Sequence, residues 1–287
     1  MIKKFIVAIF SFALILFSGM VAVSAQTASV SFFPAQVIQG DPLLVQINGY
    51  AISSIKNLTF DGKEISVFLY QNKPTALVGI DLNKKPGAYE LVAELSDGTS
   101  IKNVVNVGER TKVEEPLGIP QKLGGNTKKS QDKLISTLIA ETKIMANIPT
   151  ENKALWTDKF IPPLKDISVT DPYGYSRQTG PYSIPHKGVD YRAPQGTEVM
   201  AVNQGIVRIT SAYRNYGNTV VIDHGLGLMT FYLHLSKIKV KVGDMVEQGE
   251  VIGLSGQTGY AYGPHLHLSV VINGVSIDPV KFFELLQ

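Results

Sequence analysis

The chain holds five histidines in 287 residues. Four of them fall, with one aspartate, in segments that suit metal chemistry: His186-Lys187-Gly188-Val189-Asp190, Tyr232-Leu233-His234-Leu235 and His265-Leu266-His267. Imidazole and carboxylate are hard-to-borderline donors that suit zinc, and three of them leave a coordination position open for water. Such a set points to a catalytic metal site more than to a structural one. His265 and His267 stand two apart in an apolar stretch that runs to Ile272 and reads as a strand, so both imidazoles face the same space. One can bind a metal while its neighbour stays free to move a proton. His186 and Asp190 are four apart, but Gly188 and the following Val189 and Tyr191 indicate a loop entering a strand.

The segments around these residues are equally distinctive. In chain order they are Asp171-Pro172-Tyr173-Gly174, His186 to Tyr191, Ala193 to Thr197, Gly217 to Gly225, Tyr232 to Leu235, Val242-Gly243-Asp244, Gly256 to Gly259 and Gly263 to His267. On these segments the chain, from about residue 160 onward, resembles the lysostaphin-like (LytM-type) zinc endopeptidases that cut peptidoglycan cross-bridges. The resemblance implies an antiparallel β catalytic domain over 159–287, of the barrel-sandwich hybrid type. It also implies one zinc per chain, held by His186, Asp190 and His267, with His265 as general base and His234 as transition-state stabiliser. Many relatives carry an aromatic residue after the second histidine of His-x-His. Leu268 stands there in this chain, a departure that bears on groove shape and peptide preference.

The implied reaction is hydrolysis of a peptide bond by metal-activated water, in peptidoglycan stems or cross-bridges. An unperturbed imidazole titrates near ~6.5. His265 therefore suits proton acceptance from the attacking water, and His234 suits donation to the developing oxyanion. Tyr175 and Tyr182, in the loop before His186, are both candidates to assist. His224 ends the apolar run Val220-Val221-Ile222-Asp223 beside Gly225 and reads as structural. Asp223 and Asp278 read as turn or capping residues.

At the N-terminus, Lys3 and Lys4, the apolar residues 5–17 and Val23-Ser24-Ala25 compose a secretory signal over residues 1–25. Export to the periplasm, cell envelope or medium follows, with membrane contact only through that segment if it stays uncleaved. The chain has no cysteine, hence no lipid-acceptor thiol and no disulfide framework. Its 27 basic residues exceed the 24 acidic ones by three, and Lys3 and Lys4 supply two of that excess. A nearly neutral mature chain without a basic patch interleaved with aromatics gives no basis for nucleic-acid binding. A monomer is the expected state.

The expected fold is mainly β. Residues 27–110 show short strands at Leu43–Ile47, Ile65–Tyr70 and Tyr89–Leu95, with turn signals at Asp61-Gly62 and Asp97-Gly98. That spacing suggests an immunoglobulin-like β-sandwich, a spacer or binding module that folds separately. Residues 111–158 form a connector. A helix over about 127–147 is capped by Asn126 or Thr127, with Leu134, Ile135, Leu138 and Ile139 as its apolar stripe, and Pro149 ends it. Trp156 and Phe160 would pack the connector onto the catalytic domain. The main alternative is a catalytically inactive LytM-type protein that activates a cell-wall amidase, yet every metal position is present. Lys241 to Gly249 is similar to turns of biotin or lipoate carriers, which lack such a histidine set.

Overall fold

Alternating apolar residues in Gly87–Leu95 place Leu91, Ala93 and Leu95 on one buried face, and Ser100–Gly108 repeats the pattern, whereas Pro42–Asn48 and Lys73–Gly79 are buried on both faces. In the computed structural model, which describes residues 29–156 and 159–286, these strands make two sheets. One runs in the order Ser29–Phe33, Pro42–Asn48, Lys73–Gly79, Phe68–Tyr70, and the other Val37–Ile38, Ser100–Gly108, Gly87–Leu95, Ile55–Phe60, Lys63–Glu64. Leu43, Val45 and Ile47 from the first sheet and Leu58, Leu91 and Val105 from the second share one apolar core. The secretory-signal reading of residues 1–25 lies outside the described residues. Among the described residues, no helix is long and apolar enough to cross a membrane.

The expected strand Ile65–Tyr70 divides. Lys63–Glu64 pairs with Ile55–Phe60, whereas Phe68–Tyr70 pairs with Lys73–Gly79 in the opposite sheet. The apolar run passes between the two layers, and Ile65 fills the core on the way. Both expected turn signals lie between paired strands: Asp61 and Gly62 have φ of 51° and 71°, and Gly98 has 88° while Asp97 keeps a negative φ. Asn273 and Gly274, later in the chain, have 49° and 79°. Asp61-Gly62 and Asn273-Gly274, with both residues at positive φ, suit the two-residue turn that right-twisted strands require.

The C-terminal part is built on an antiparallel sheet. Its order is Val169–Asp171, Val189–Arg192, His265–Ile272, Leu228–Leu235, Gly217–Gly225, Gly205–Tyr213, Met245–Val246, with Val275–Ile277 added to His265–Ile272. Glu198–Met200, Val251–Leu254 and Lys237–Ile238 form a smaller sheet. One face of the large sheet, with Val189, Tyr191, Tyr232, Leu266, Leu268 and Val270, packs into the main core. Leu268 is therefore a core residue with no exposed surface. Contrary to expectation, its type sets packing and not groove shape. The opposite face carries His267 and, further along, a small cluster of Val221, Met229, Phe231 and Leu233, onto which Met145 and Ile148 pack.

The connector is more structured than its sequence indicates. Glu114–Pro116 joins Ser176–Thr179 as a parallel strand, and Ser176–Thr179 continues into the hairpin partner Tyr182–Pro185. Helix α1, Lys128–Met145, starts at Thr127, whose hydroxyl accepts a hydrogen bond from the Ser130 amide at 3.2 Å. This is the usual N-cap arrangement. The expected apolar stripe is only partly what α1 buries: Leu134 is fully buried and Ile135 and Leu138 are half-buried, but Ile139 is 65% exposed, and the polar Glu141 is buried instead. Glu141 meets a polar turn at Asn215 and Tyr216. Helix α2, Pro279–Leu285, went unforeseen, although Asp278 caps it by accepting from the Val280 amide at 3.0 Å.

The two parts share a core rather than merely a linker. Leu44 and Leu77, on the outer face of the four-stranded sheet, belong to the same apolar cluster as Trp156, Tyr173, Ile277 and Phe282. Phe68 meets Trp156 edge-on at 5.3 Å. Arg110 binds Asp41 at 2.8 Å and Asp278 at 3.2 Å, and its Nε donates to the Gln39 carbonyl at 2.6 Å. Fully burying one large apolar side chain is worth ~1.5–3 kcal/mol, and removing one partner of a buried ion pair leaves the other charge uncompensated. Deleting residues 29–108 should therefore lower the melting temperature of the remainder by several degrees. Thermal denaturation of the full and truncated chains tests this. Wild-type melting in the truncated chain would show that the interface adds nothing.

Candidate active site

Strand pairing brings the distant sequence segments together. Asp190 lies directly opposite His267 across one strand pair, and Leu233, beside His234, lies opposite His267 across the next. Between His186 and Val189, the glycine at 188 is obligatory. A Cβ there would run into the His267 ring and the Leu268 carbonyl.

His186, Asp190 and His267 are all buried, at 3%, 2% and 7% exposure, and their donor atoms converge. His186 Nε2 lies 3.0 Å from Asp190 Oδ1 and 3.0 Å from His267 Nδ1, and His267 Nδ1 lies 2.7 Å from Asp190 Oδ1. Among the described residues this is the group of three or more such side chains able to hold a metal ion. The fit is good on chemistry and on size. Zinc bonds of ~2.0–2.1 Å in tetrahedral geometry place neighbouring donors ~3.3 Å apart. Burial lowers His267 to about 4, outweighing the pull of Asp190, so the ring is neutral at neutral pH, as a ligand must be. Burial would raise Asp190, but its electrostatic attraction to His186 and the hydrogen bonds from the His186 and His267 rings hold it well below the usual carboxylate range.

Each donor is fixed from behind. His186 Nδ1 donates to the Pro172 carbonyl at 2.9 Å, and His267 Nε2 meets Ser269 Oγ at 2.9 Å. The second oxygen of Asp190 takes Arg177 Nη2 at 2.5 Å, and the same guanidinium reaches Asp171 at 3.3 Å. Arg177 leaves one Asp190 oxygen facing the histidines. Outer partners of this kind orient ligands and set their basicity. Sequence reading missed Arg177, because its strand and that of Asp190 meet only in the fold.

The other two histidines border the group. The His234 ring lies 4.8 Å from that of His265 and 6.0 Å from that of His267. His265 Nδ1 donates to the Gly263 carbonyl at 2.9 Å, which leaves Nε2 as a lone-pair acceptor. That Nε2 is buried with no partner among the described residues and lies 3.7 Å from Asp190 Oδ1. His234 Nδ1 likewise donates to the Thr258 carbonyl at 2.9 Å. Burial, reinforced by His265 and His267, pushes the His234 ring well below its ordinary value. A neutral His234 in this tautomer offers an acceptor at Nε2, so donation to an oxyanion requires that it first gain a proton. His234 also has φ of 61°, a left-handed backbone that non-glycine residues rarely adopt and that clusters at functional sites.

The candidate tyrosines face elsewhere. Tyr182 donates to Asp132 of α1 at 2.8 Å, and Tyr175 is pushed up to about 12 by burial and its hydrogen bond with Glu115. Both engage connector carboxylates. His224 is fully buried, with Nδ1 on the Gln204 carbonyl at 2.7 Å and Nε2 on Thr230 Oγ1 at 2.8 Å, and burial lowers it to about 4. Its two nitrogens are spent on structure, as its sequence context suggests. Asp223 is more than a turn residue, being fully buried and paired with Arg208 at 2.8 Å.

Residues 184–279, which contain all five of these positions, match peptidase family M23. The C-terminal part of this chain is an M23 peptidase domain. Over 97 residues, 34% of this chain, it is 47% identical to the peptidoglycan DD-endopeptidase ShyA of Vibrio cholerae, of which that span covers 23%. Over 122 residues, 42% of this chain, it is 41% identical to the DD-carboxypeptidase/endopeptidase Mpg of Neisseria meningitidis, of which 28% is covered. The matched span is thus about a quarter of the length of these relatives. A solved structure from Pseudomonas aeruginosa, assigned to the M23 peptidases, superposes with a TM-score of 0.62 at 26% identity. It covers 87% of this chain and 96% of that one, so the likeness extends well beyond the M23 segment.

Proposed function

We propose that this chain is an exported zinc endopeptidase that hydrolyses peptide bonds in peptidoglycan stems or cross-bridges. The observation that carries the reading is the convergence of three buried donors, His186, Asp190 and His267, beside the unpartnered Nε2 of His265. The names of the relatives, peptidoglycan DD-endopeptidase and DD-carboxypeptidase/endopeptidase, support the substrate class. One zinc per chain fits the donor set. When bound, the metal supplies Lewis-acid polarisation and acidification of water, to a pKa of ~7 in known zinc sites. His265 Nε2 has a free lone pair and accepts the proton of the attacking water. His265 can then return that proton to the leaving nitrogen, while His234, on the other side, would donate from Nε2 to the developing oxyanion only after taking up a proton there. Arg177 keeps Asp190 oriented throughout. The N-terminal sheets are an immunoglobulin-like spacer over 27–110 within this reading, followed by the connector at 111–158 and the catalytic unit at 159–287.

The alternative, an inactive activator of an amidase, would not need an intact donor set. Purified protein incubated alone with purified peptidoglycan separates the two. Mass analysis is expected to show peptide fragments cut within stems or cross-bridges, each cleavage freeing an amino group while the glycan strands stay whole. An activator acting alone would release nothing, and that result sinks the enzymatic reading.

A further inference from the structure

Helix α1 lies outside the M23 segment, yet it places a buried carboxyl group against a turn beside the candidate site. Glu141 is 6% exposed. Its two oxygens accept hydrogen bonds from the Asn215 amide at 3.1 and 3.2 Å, and Oε2 accepts another from the Tyr216 amide at 3.2 Å. Successive amides turned toward one anion form a concave nest, and bonds to a charged acceptor are among the stronger ones. Two further contacts fasten the same turn to α1: Asn215 Nδ2 donates to Thr137 Oγ1 at 2.8 Å, and Tyr216 OH meets Thr142 Oγ1 at 2.9 Å.

What the turn holds is the reason for interest. The Tyr216 carbonyl accepts the amide of His234 at 3.0 Å, and the Asn215 carbonyl accepts the amide of Tyr260 at 2.7 Å. His234 keeps its left-handed backbone at that point. Tyr260 belongs to the loop that leads to His265, and the Thr258 carbonyl in that loop holds the His234 ring. Gly259, with φ of 71°, passes so close to Asn215 and Gly217 that any Cβ would collide with them. One side chain on the connector thus fixes, through two carbonyls, the backbone of His234 and the loop that orients its ring.

We propose that Glu141 is a positioning residue for His234, and that α1 is in this way a working part of the active site. The inference rests on the proposed role of His234. A long carboxyl group aimed at two adjacent amides is a costly way to dock a helix if docking is all that is needed. Apolar contact at Leu134 and Met145 already supplies that.

Glu141→Gln preserves the volume of the side chain and replaces one acceptor oxygen by an amide that cannot accept. The full-length chain, zinc-loaded and labelled with nitrogen-15 histidine, gives separate ring signals for His234 and for His224, which serves as an internal reference. In the variant the His234 ring signals should move while those of His224 stay. On a soluble cross-linked muropeptide kcat should fall ~10²-fold, the scale of a small misplacement of a reacting group, with KM and metal content near wild type. The proposal is overturned if the His234 signals coincide with the wild type's, or if they move while kcat holds. It is overturned too if kcat falls only in step with lost metal or a moved His224. Should the wild type itself fail to cleave the muropeptide, the proposed function falls, and the ring signals alone decide whether Glu141 sets His234.

Discussion

His265→Ala will keep its metal and lose turnover by roughly 10²–10⁴-fold, the usual contribution of a general base. His265 Nε2 is not one of the three convergent donors and sits 3.7 Å from Asp190 Oδ1. Its other nitrogen is committed to the Gly263 carbonyl, so the ring is aimed, and Nε2 is a buried basic atom beside the group with no hydrogen-bond partner among the described residues. His224→Ala provides the contrast within the same chain. That ring packs edge-on against Phe160 at 5.4 Å and holds Gln204 and Thr230, so its loss should lower the melting temperature while metal and turnover stay. Metal content, melting temperature and muropeptide turnover, measured side by side, check both. A metallated His265→Ala with wild-type turnover would remove His265 from the mechanism.

Much of the site is legible in the sequence because its members announce themselves by type and period. His265 and His267 sit two apart on a strand, so their shared face follows from strand geometry alone. Leu268 shows the limit of motif reading. Its neighbour in sequence faces the site, but the same period of two sends Leu268 to the opposite face and into the core. Arg177 and Glu141 carry no local signature, for their importance lies in strand and helix placements that join residues 13 and 74 positions apart. The connector was hard to read for a related reason. The apolar residues of α1 suggest a stripe through Ile139, yet the helix buries Glu141 because the surface it meets is a turn whose Asn215 and Tyr216 amides require an acceptor. In the N-terminal part, period-two alternation marks Gly87–Leu95 and Ser100–Gly108, and Asp-Gly marks the hairpins. It does not reveal that Leu44 and Leu77, on the outer face, meet the C-terminal half.

His267→Ala, by contrast, will lose the metal itself, and hydrolysis with it. His267 Nδ1 contacts both other donors, at 3.0 Å to His186 and 2.7 Å to Asp190, and its removal leaves two ligands where catalytic zinc sites use three. The variant should still fold, because the strand pairing of His265–Ile272 is made by backbone groups and its core face by Leu266, Leu268 and Val270. The central claim is that this triad holds the metal on which peptidoglycan hydrolysis depends. Elemental analysis of the purified wild-type chain and of His267→Ala, paired with peptidoglycan digestion before chelation, after it and after zinc is restored, tests that claim directly. The account predicts about one zinc per wild-type chain and almost none in the folded variant, with hydrolysis lost on chelation and regained with zinc. Undiminished hydrolysis by a metal-free, folded wild-type protein would contradict it.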